Sequence, residues 1–296
     1  MNKILVIAGQ TATGKTNFAV EVAKKFNGEL ISADSRQVYK GMDIVTGKDK
    51  NLIKEVPIWL YDLINPNEPF SVSLWHEKAM EAVTDIASRG KLPIVVGGTG
   101  LYLRSLINNL DQIVIPPNPE IRQKLAHKSV SELFTQLSKL DPIKANCLNN
   151  SDRHNPRRLI RAIEIELSPE ISPKKESKYL ILTLTLTCSN NILKLRISDR
   201  VMKRIQYGAM TELQQLSSVF NLQSSGFSAC GYKSLLKSQD PKVWIRSECQ
   251  YARRQLIFFK KYLPENHFDI SESQWSEQAL DIIRAWINNS SKSYSM

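Results

Sequence analysis

The chain has 296 residues, 42% of them hydrophobic, enough to bury a sizeable core as one large domain or as a domain carrying an insertion. Forty Lys and Arg against 29 Asp and Glu leave a net charge of +11, which suits either a polyanionic partner or a basic surface that merely aids solubility. Cys147, Cys188, Cys230 and Cys249 lie far apart, with no Cys-x-x-Cys pair and no Cys/His cluster at metal-ligand spacing, which argues against a disulfide framework and against a zinc site.

Residues 4–8 form a short apolar run, and Phe18, Ala19, Val22, Ala23 and Phe26 then recur at helical spacing. Between them stands Gly9-Gln10-Thr11-Ala12-Thr13-Gly14-Lys15-Thr16, which fits G-x-x-x-x-G-K-[ST] without a mismatch. In such a strand, loop and helix unit the loop N–H groups and the helix N-terminus converge on an anion, Lys15 adds a point charge, and the Thr16 hydroxyl is placed to ligate Mg²⁺. The motif alone reads as nucleotide-binding, and ATP-binding in particular. The opening Met1-Asn2-Lys3 and its apolar run could pass for a signal peptide, but the run is too short and leads into the phosphate loop. No stretch approaches the roughly 20 apolar residues of a membrane span, so a soluble, cytoplasmic protein without a membrane contact is expected.

A second strand over 29–33 delivers Asp34 at its C-terminal end, the edge where open α/β sheets place ligands. There it is placed to take a proton from an attacking nucleophile, or simply to cap the following turn. Trp75, Ala79, Ala82, Val83, Ile86 and Ala87 predict a helix ending at Gly90, then a buried strand over 93–96 and Gly97-Gly98-Thr99-Gly100, a second wall for the pocket or a plain strand-to-helix turn. This alternation predicts an α/β fold with a parallel, P-loop NTPase-like sheet flanked by helices, its first part over 1–115.

Pro116-Pro117-Asn118-Pro119 breaks the rhythm. An all-helical insertion is expected over 116–176, with helices opening at Ser131, at Asp141-Pro142 and at Asn155-Pro156, and with the polar run 168–178 as its edge. Residues 179–187 read as a return to the sheet, 192–220 as one long helix, and 241–262 as a basic helix in which Trp244, Tyr251, Phe258 and Phe259 are interleaved with Arg246, Arg253 and Arg254. The core thus resumes over 177–296 and ends in helices and a frayed Ser/Asn/Lys-rich tail. Arg157, Arg158 and Arg161, and again Arg196 and Arg200, are spaced to line one side of a helix, as solvated faces or as phosphate-binding rows.

The phosphate loop, Ile31-Ser32-Ala33-Asp34-Ser35-Arg36-Gln37-Val38-Tyr39-Lys40-Gly41-Met42-Asp43-Ile44, Val96-Gly97-Gly98-Thr99-Gly100-Leu101-Tyr102, Asn155-Pro156-Arg157-Arg158-Leu159-Ile160-Arg161-Ala162 and Gly231-Tyr232-Lys233 occur here in the order seen in tRNA dimethylallyltransferases. The chain resembles that family from its start to about residue 260, and the scattered cysteines, which form no C-terminal zinc finger, favour its bacterial type.

The resemblance implies transfer of a dimethylallyl group from dimethylallyl diphosphate to N6 of the adenosine just 3′ of the anticodon, by a monomer that grips the tRNA anticodon arm. It further implies that Gly9, Gln10, Thr11, Ala12, Thr13, Gly14, Lys15 and Thr16, with Arg200, bind the diphosphate, Thr16 serving Mg²⁺ through it. Asp34 would take the proton of the adenine amine and Thr99 would line the reaction channel. Contacts with tRNA are implied for Asp34, Ser35, Arg36, Gln37, Thr99, Arg122, Arg157, Arg158, Leu159, Ile160, Arg161, Gly231, Tyr232, Lys233, Arg254 and Gln255. The chain departs from the family pattern at Ile58-Trp59, where a His pair is usual, at Glu248-Cys249, where Thr-Arg is usual, and at Phe258, where Trp is usual. From the residues alone, a small-molecule P-loop kinase, an isopentenyltransferase acting on free AMP, and a non-catalytic RNA-binding protein with an inherited phosphate loop remain as alternatives.

Overall fold

Ile4, Leu5, Val6, Ile7 and Ala8 have no exposed surface, the signature of a strand covered on both faces. They form β1 (Asn2–Gly9) of the computed structural model, which describes residues 2–107, 115–168 and 179–289. The other expected strands are β2 (Gly28–Ala33), β4 (Leu92–Gly97) and β5 (Tyr179–Thr187). Two short strands that periodicity does not disclose, β3 (Ile58–Trp59) and β6 (His267–Asp269), close the edges. All neighbours are parallel and the spatial order is β3-β2-β4-β1-β5-β6. The chain leaves β1 on one side for β2 and β4 and resumes on the other with β5. The loops after β1, β2 and β4 therefore meet at one sheet edge, where such folds bind ligands.

Because side chains alternate along a strand, Leu5 and Ile7 face α1 (Lys15–Lys25) and α13 (Trp275–Asn288), packing with Phe18, Ala19, Val22, Ala279, Leu280 and Ile283. Ile4, Val6 and Ala8 face the other way, against Trp75, Ala79, Val83 and Ile86 of α2 (Val72–Ser88) and Tyr102 and Leu103 of α3 (Gly100–Ile107). The sheet is thus buried on both sides.

A third apolar cluster binds Val38, Tyr39, Met42 and Val45, in the segment after β2, to α9 (Asn190–Gln206), α10 (Ala209–Ser217), α11 (Cys230–Lys237) and α12 (Pro241–Tyr262). The single helix expected over 192–220 is in fact α9 and α10, because Gly208 takes φ 98° after Tyr207 ends α9. A left-handed glycine is a common helix stop. Trp244 and Phe259 of α12 are core residues, 1% and 0% exposed.

Contact clustering divides the chain into Met1–Asn108 with Ser177–Met296, and Asn109–Glu176. The second unit is helical throughout its described residues: α4 (Pro119–Leu125), α5 (Val130–Leu140), α6 (Pro142–Cys147), α7 (Asn150–Arg153) and α8 (Pro156–Glu166). Asn118, Asp141 and Asn155 each cap a helix that has proline in its first turn. The helix expected to open at Ser131 is capped instead by Ser129, whose hydroxyl and backbone N–H exchange hydrogen bonds with Glu132 in a capping box. Leu125, Leu133, Leu137, Ala145, Leu159 and Ile163 form this unit's own core. Most of the polar run expected at its edge, and most of the C-terminal tail, lie outside the described residues.

Candidate active site

The backbone conformation of the loop between β1 and α1 suits it to receive an anion. Ala12 and Gly14 take φ 64° and 84°, left-handed positions of the kind that let loop N–H groups converge on an anion. No side chain caps the start of α1, and its first turn holds no acid, so its N-terminal donors are left for a ligand. At Gly9 a Cβ would stand 2.5 Å from the Leu186 carbonyl oxygen, so the loop can leave the sheet there only as glycine. Gln10 is fully buried and braces the loop, its amide donating to the Ala252 carbonyl at 3.2 Å and accepting from the Cys188 N–H at 3.3 Å. Lys15 Nζ donates to the Gln10 carbonyl at 2.6 Å. Burial, and after it the Arg200 guanidinium, push the Lys15 ammonium down to about 7.

The loop forms one wall of a cleft of about 1020 Å³ whose lining includes Thr11, Lys15, Thr16, Asp34, Arg200 and Tyr251. The facing wall comes from the ends of β2 and β4. Asp34 Oδ1 accepts from the Arg36 N–H at 2.8 Å, the turn-capping bond expected of a strand-end Asp, and the same carboxylate also borders the cleft. Thr99 Oγ1 accepts from the Ser35 N–H at 3.0 Å, and the Tyr251 hydroxyl lies near the Thr99 side chain. Burial, and then the Asp34 charge, push the Tyr251 hydroxyl well above its ordinary value. Gln255 links the two walls, accepting from the Thr11 N–H at 2.8 Å and donating to the Gly98 carbonyl at 2.9 Å.

The third wall is a row of arginines on α9 at fourfold spacing. Arg196 Nε donates to the Ala12 carbonyl at 2.8 Å, Arg200 Nη2 to Thr11 Oγ1 at 2.5 Å, and Arg204 Nη1 to the Val45 carbonyl at 3.1 Å. Arg200 Nε is buried with no hydrogen-bond partner among the described residues, an unspent donor beside the loop. Burial, and then Arg200, push Arg204 down to about 10. Behind them sits Glu248 of α12, 7% exposed, with Oε2 3.1 Å from Arg200 Nη2, Oε1 3.8 Å from Arg204 Nη1, and the Trp244 indole donating to it at 3.2 Å. Arg204, Tyr251 and Glu248 are the site residues that sequence reasoning overlooked. Arg204 continues the Arg196, Arg200 spacing, and Glu248, Tyr251 and Gln255 share one face of α12, so the signal was present in both helices.

Of the residues tied to tRNA by resemblance, Asp34, Ser35, Arg36, Gln37, Gly231, Arg254 and Gln255 line the cleft. Gln37 is spent on bracing, accepting from Ser32 Oγ and donating to the Gly47 carbonyl, both at 2.9 Å. Tyr232 is fully buried and gives its hydroxyl to Glu212, and Leu159 is in the core of the helical unit. These two side chains face no ligand; they set the backbone around them. In the helical unit, Arg122 and Arg161 both bind the buried Glu164, at 2.9 and 2.6 Å, Arg158 pairs with Asp152, Ile160 is half-buried, and Arg157 is exposed, as is Lys233 in the sheet unit.

Residues 37–262 match the family described as IPP transferase. A tRNA dimethylallyltransferase of Anoxybacillus flavithermus is 35% identical over 303 residues, 96% of each chain. The crystal structure of a tRNA isopentenylpyrophosphate transferase from Bacillus halodurans superposes with a TM-score of 0.74 at 32% identity, covering 99% of both chains. A eukaryotic dimethylallyltransferase captured acting on tRNA superposes at 0.82 with 28% identity, over 98% of this chain and 80% of that one.

Proposed function

This chain belongs to the IPP transferase family, and we propose that it transfers a dimethylallyl group from dimethylallyl diphosphate to N6 of the adenosine 3′-adjacent to the anticodon in a subset of tRNAs, releasing diphosphate. The observation that carries this reading is one cleft with an anion cradle on one wall and the Asp34 carboxylate on another. A leaving group and a proton acceptor are what N-prenylation asks for; a kinase would use the same groups, and the near full-length likeness to tRNA dimethylallyltransferases favours prenyl transfer.

The exocyclic amine of adenine is a weak nucleophile, its lone pair delocalised into the ring, so the electrophile must be made strong. The loop N–H groups, Lys15 and Arg200 meet negative charge that grows on the diphosphate as the allylic carbon to oxygen bond breaks. One such preorganised contact contributes on the order of 3 kcal/mol to the transition state. Asp34 accepts the amine proton as the carbon to nitrogen bond forms, Tyr251 borders the cleft, and Thr99 holds the Ser35 backbone beside it. The base must leave its stack to arrive there, so the anticodon arm is gripped by its phosphates, which the charge of +11 favours. The arginine-bearing α8 of the helical unit, together with Arg36, Arg254 and Lys233, serves that grip.

A divalent ion fits this donor set only in part. Thr16 borders the cleft with a hard oxygen, and no group of three or more His, Cys, Asp or Glu among the described residues could hold a metal. Mg²⁺ would therefore bind through the diphosphate and Thr16, supplying further charge neutralisation. On this reading the protein acts as a monomer, and the tRNA substrate makes the cytoplasm its place of work. No described helix is long and apolar enough to cross a membrane.

Incubation with Mg²⁺, dimethylallyl diphosphate and unmodified tRNA is expected to yield a prenylated adenosine by mass spectrometry. No product, alongside turnover of ATP on a small metabolite, would overturn the reading.

A further inference from the structure

Glu248 is a buried carboxylate inside a cleft shaped for an anion. It contacts two arginines of the cleft, Arg200 beside the phosphate loop at 3.1 Å and Arg204 beside Val45 at 3.8 Å, and it is held from behind by the Trp244 indole at 3.2 Å. Neither arginine depends on it for position. Arg200 is also anchored on Thr11 Oγ1 at 2.5 Å, and Arg204 on the Val45 carbonyl at 3.1 Å. What Glu248 supplies is negative charge against Arg200, the arginine that also hydrogen-bonds the phosphate loop at Thr11.

We infer that Glu248 is a resident counter-anion of the diphosphate site: it partly neutralises Arg200 and Arg204, competes with the incoming diphosphate for them, and so keeps the released diphosphate from staying bound. This rests on the diphosphate reading of the cleft.

Like charges at such separations are weakly screened in a half-buried site. A phosphate group brought to the loop is drawn by Lys15, Arg196, Arg200 and Arg204 and opposed by Asp34, Asp43, Asp49, Asp199 and Glu248, which line the same cleft. Of these acids, Glu248 is the one ion-paired with Arg200 and Arg204. Removing its charge while keeping its shape raises the anion affinity of a cradle whose donors stay anchored. A residue that merely held the arginines in place would do the reverse, since its loss would loosen them.

The test is Glu248→Gln, in which the side-chain carbonyl still accepts from Trp244. Titrated with inorganic pyrophosphate and Mg²⁺, the variant is expected to bind about tenfold more tightly than the wild type. Its KM for dimethylallyl diphosphate falls with it, and product inhibition by pyrophosphate strengthens. Glu248→Asp, which restores the charge, returns the affinity toward that of the wild type. Should Glu248→Gln not fold, Glu248→Thr makes the same neutralisation with a smaller side chain. Pyrophosphate affinity that is unchanged or weaker in the neutral variants overturns the inference while leaving the diphosphate site standing. Failure of the wild type itself to bind pyrophosphate overturns both.

Discussion

Two glutamates in the sheet unit are each buried beside a tryptophan and a pair of cations, one at the start of β2 and one in the cleft beyond the strand ends. Glu29, 2% exposed, takes two bonds from Arg89 at 2.5 and 2.8 Å, one from Lys91 at 2.7 Å and one from the Trp59 indole at 2.9 Å. These bonds, that of Arg89 first, hold its carboxyl down to about 2 against the opposing effect of burial. Glu248 has the same kinds of partner at 3.1, 3.8 and 3.2 Å, and Arg200 keeps a buried donor unused. A saturated carboxylate has nothing left to offer a ligand and fastens β2 to β3 and to the end of α2. An undersaturated one leaves its cations available. The comparison separates an edge of the sheet that carries stability from an edge that carries chemistry.

The largest effect should fall at the chemical edge. Asp34→Asn keeps an acceptor for the Arg36 N–H but loses the base, so single-turnover prenyl transfer should drop by about 10²–10⁴-fold with tRNA affinity and thermal stability unchanged. A pure RNA-binding protein would lose nothing, and a fall in stability to match the rate would erase the distinction between the two edges.

Glu29→Gln should do the opposite, leaving transfer intact and lowering the unfolding free energy in urea by about 1–3 kcal/mol, less than for a fully buried pair because Arg89 and Lys91 are partly solvated. The same pair sets a pH dependence. The folded carboxyl titrates at about 2, below its ordinary 4.5, so its stabilisation is complete above 4.5 and is lost as pH falls from there toward 2. The acid limb of a stability profile should therefore flatten over that window in Glu29→Gln. An unchanged limb would show that other carboxylates govern it.

The smallest effect is in proton bookkeeping. Burial and Arg200 push Lys15 in the free cleft down to about 7, so above that pH the binding of a diphosphate is coupled to proton uptake at Lys15. Binding the anion raises the affinity of Lys15 for a proton, which is drawn from the buffer, so calorimetry of pyrophosphate binding at pH 8 in buffers of different ionisation enthalpy should report up to one proton taken up beyond that in Lys15→Met. Equal uptake in the two proteins would mean that Lys15 is already charged.

Local patterns in the sequence carried much of this. The phosphate loop, the strand that delivers Asp34 and the capped helices of 119–166 are each written within a dozen residues, where periodicity and capping chemistry act. What sequence hid was contact across distance. Nothing near Glu248 announces that it will lie against Arg200, 48 positions away, or that Tyr251 will reach Thr99. β3 and β6, two and three residues long, are too short to show a period and exist because longer parallel neighbours offer them free backbone groups. The arginines of α8 looked alike in sequence, yet Glu164, three positions beyond Arg161, claims that one and Arg122. The Ile58-Trp59 departure has a local account, since the Trp59 indole is one of the donors that saturate Glu29.

The central claim is that the phosphate loop holds an allylic diphosphate and not a nucleoside triphosphate. Its most direct test is competition at the loop: a non-hydrolysable thio analogue of dimethylallyl diphosphate is bound with Mg²⁺ and challenged with pyrophosphate or with ATP. Displacement by pyrophosphate but not by comparable ATP, with analogue binding lost in Lys15→Met, is the predicted result. Displacement by ATP as readily as by pyrophosphate, with ATP consumed, would contradict it.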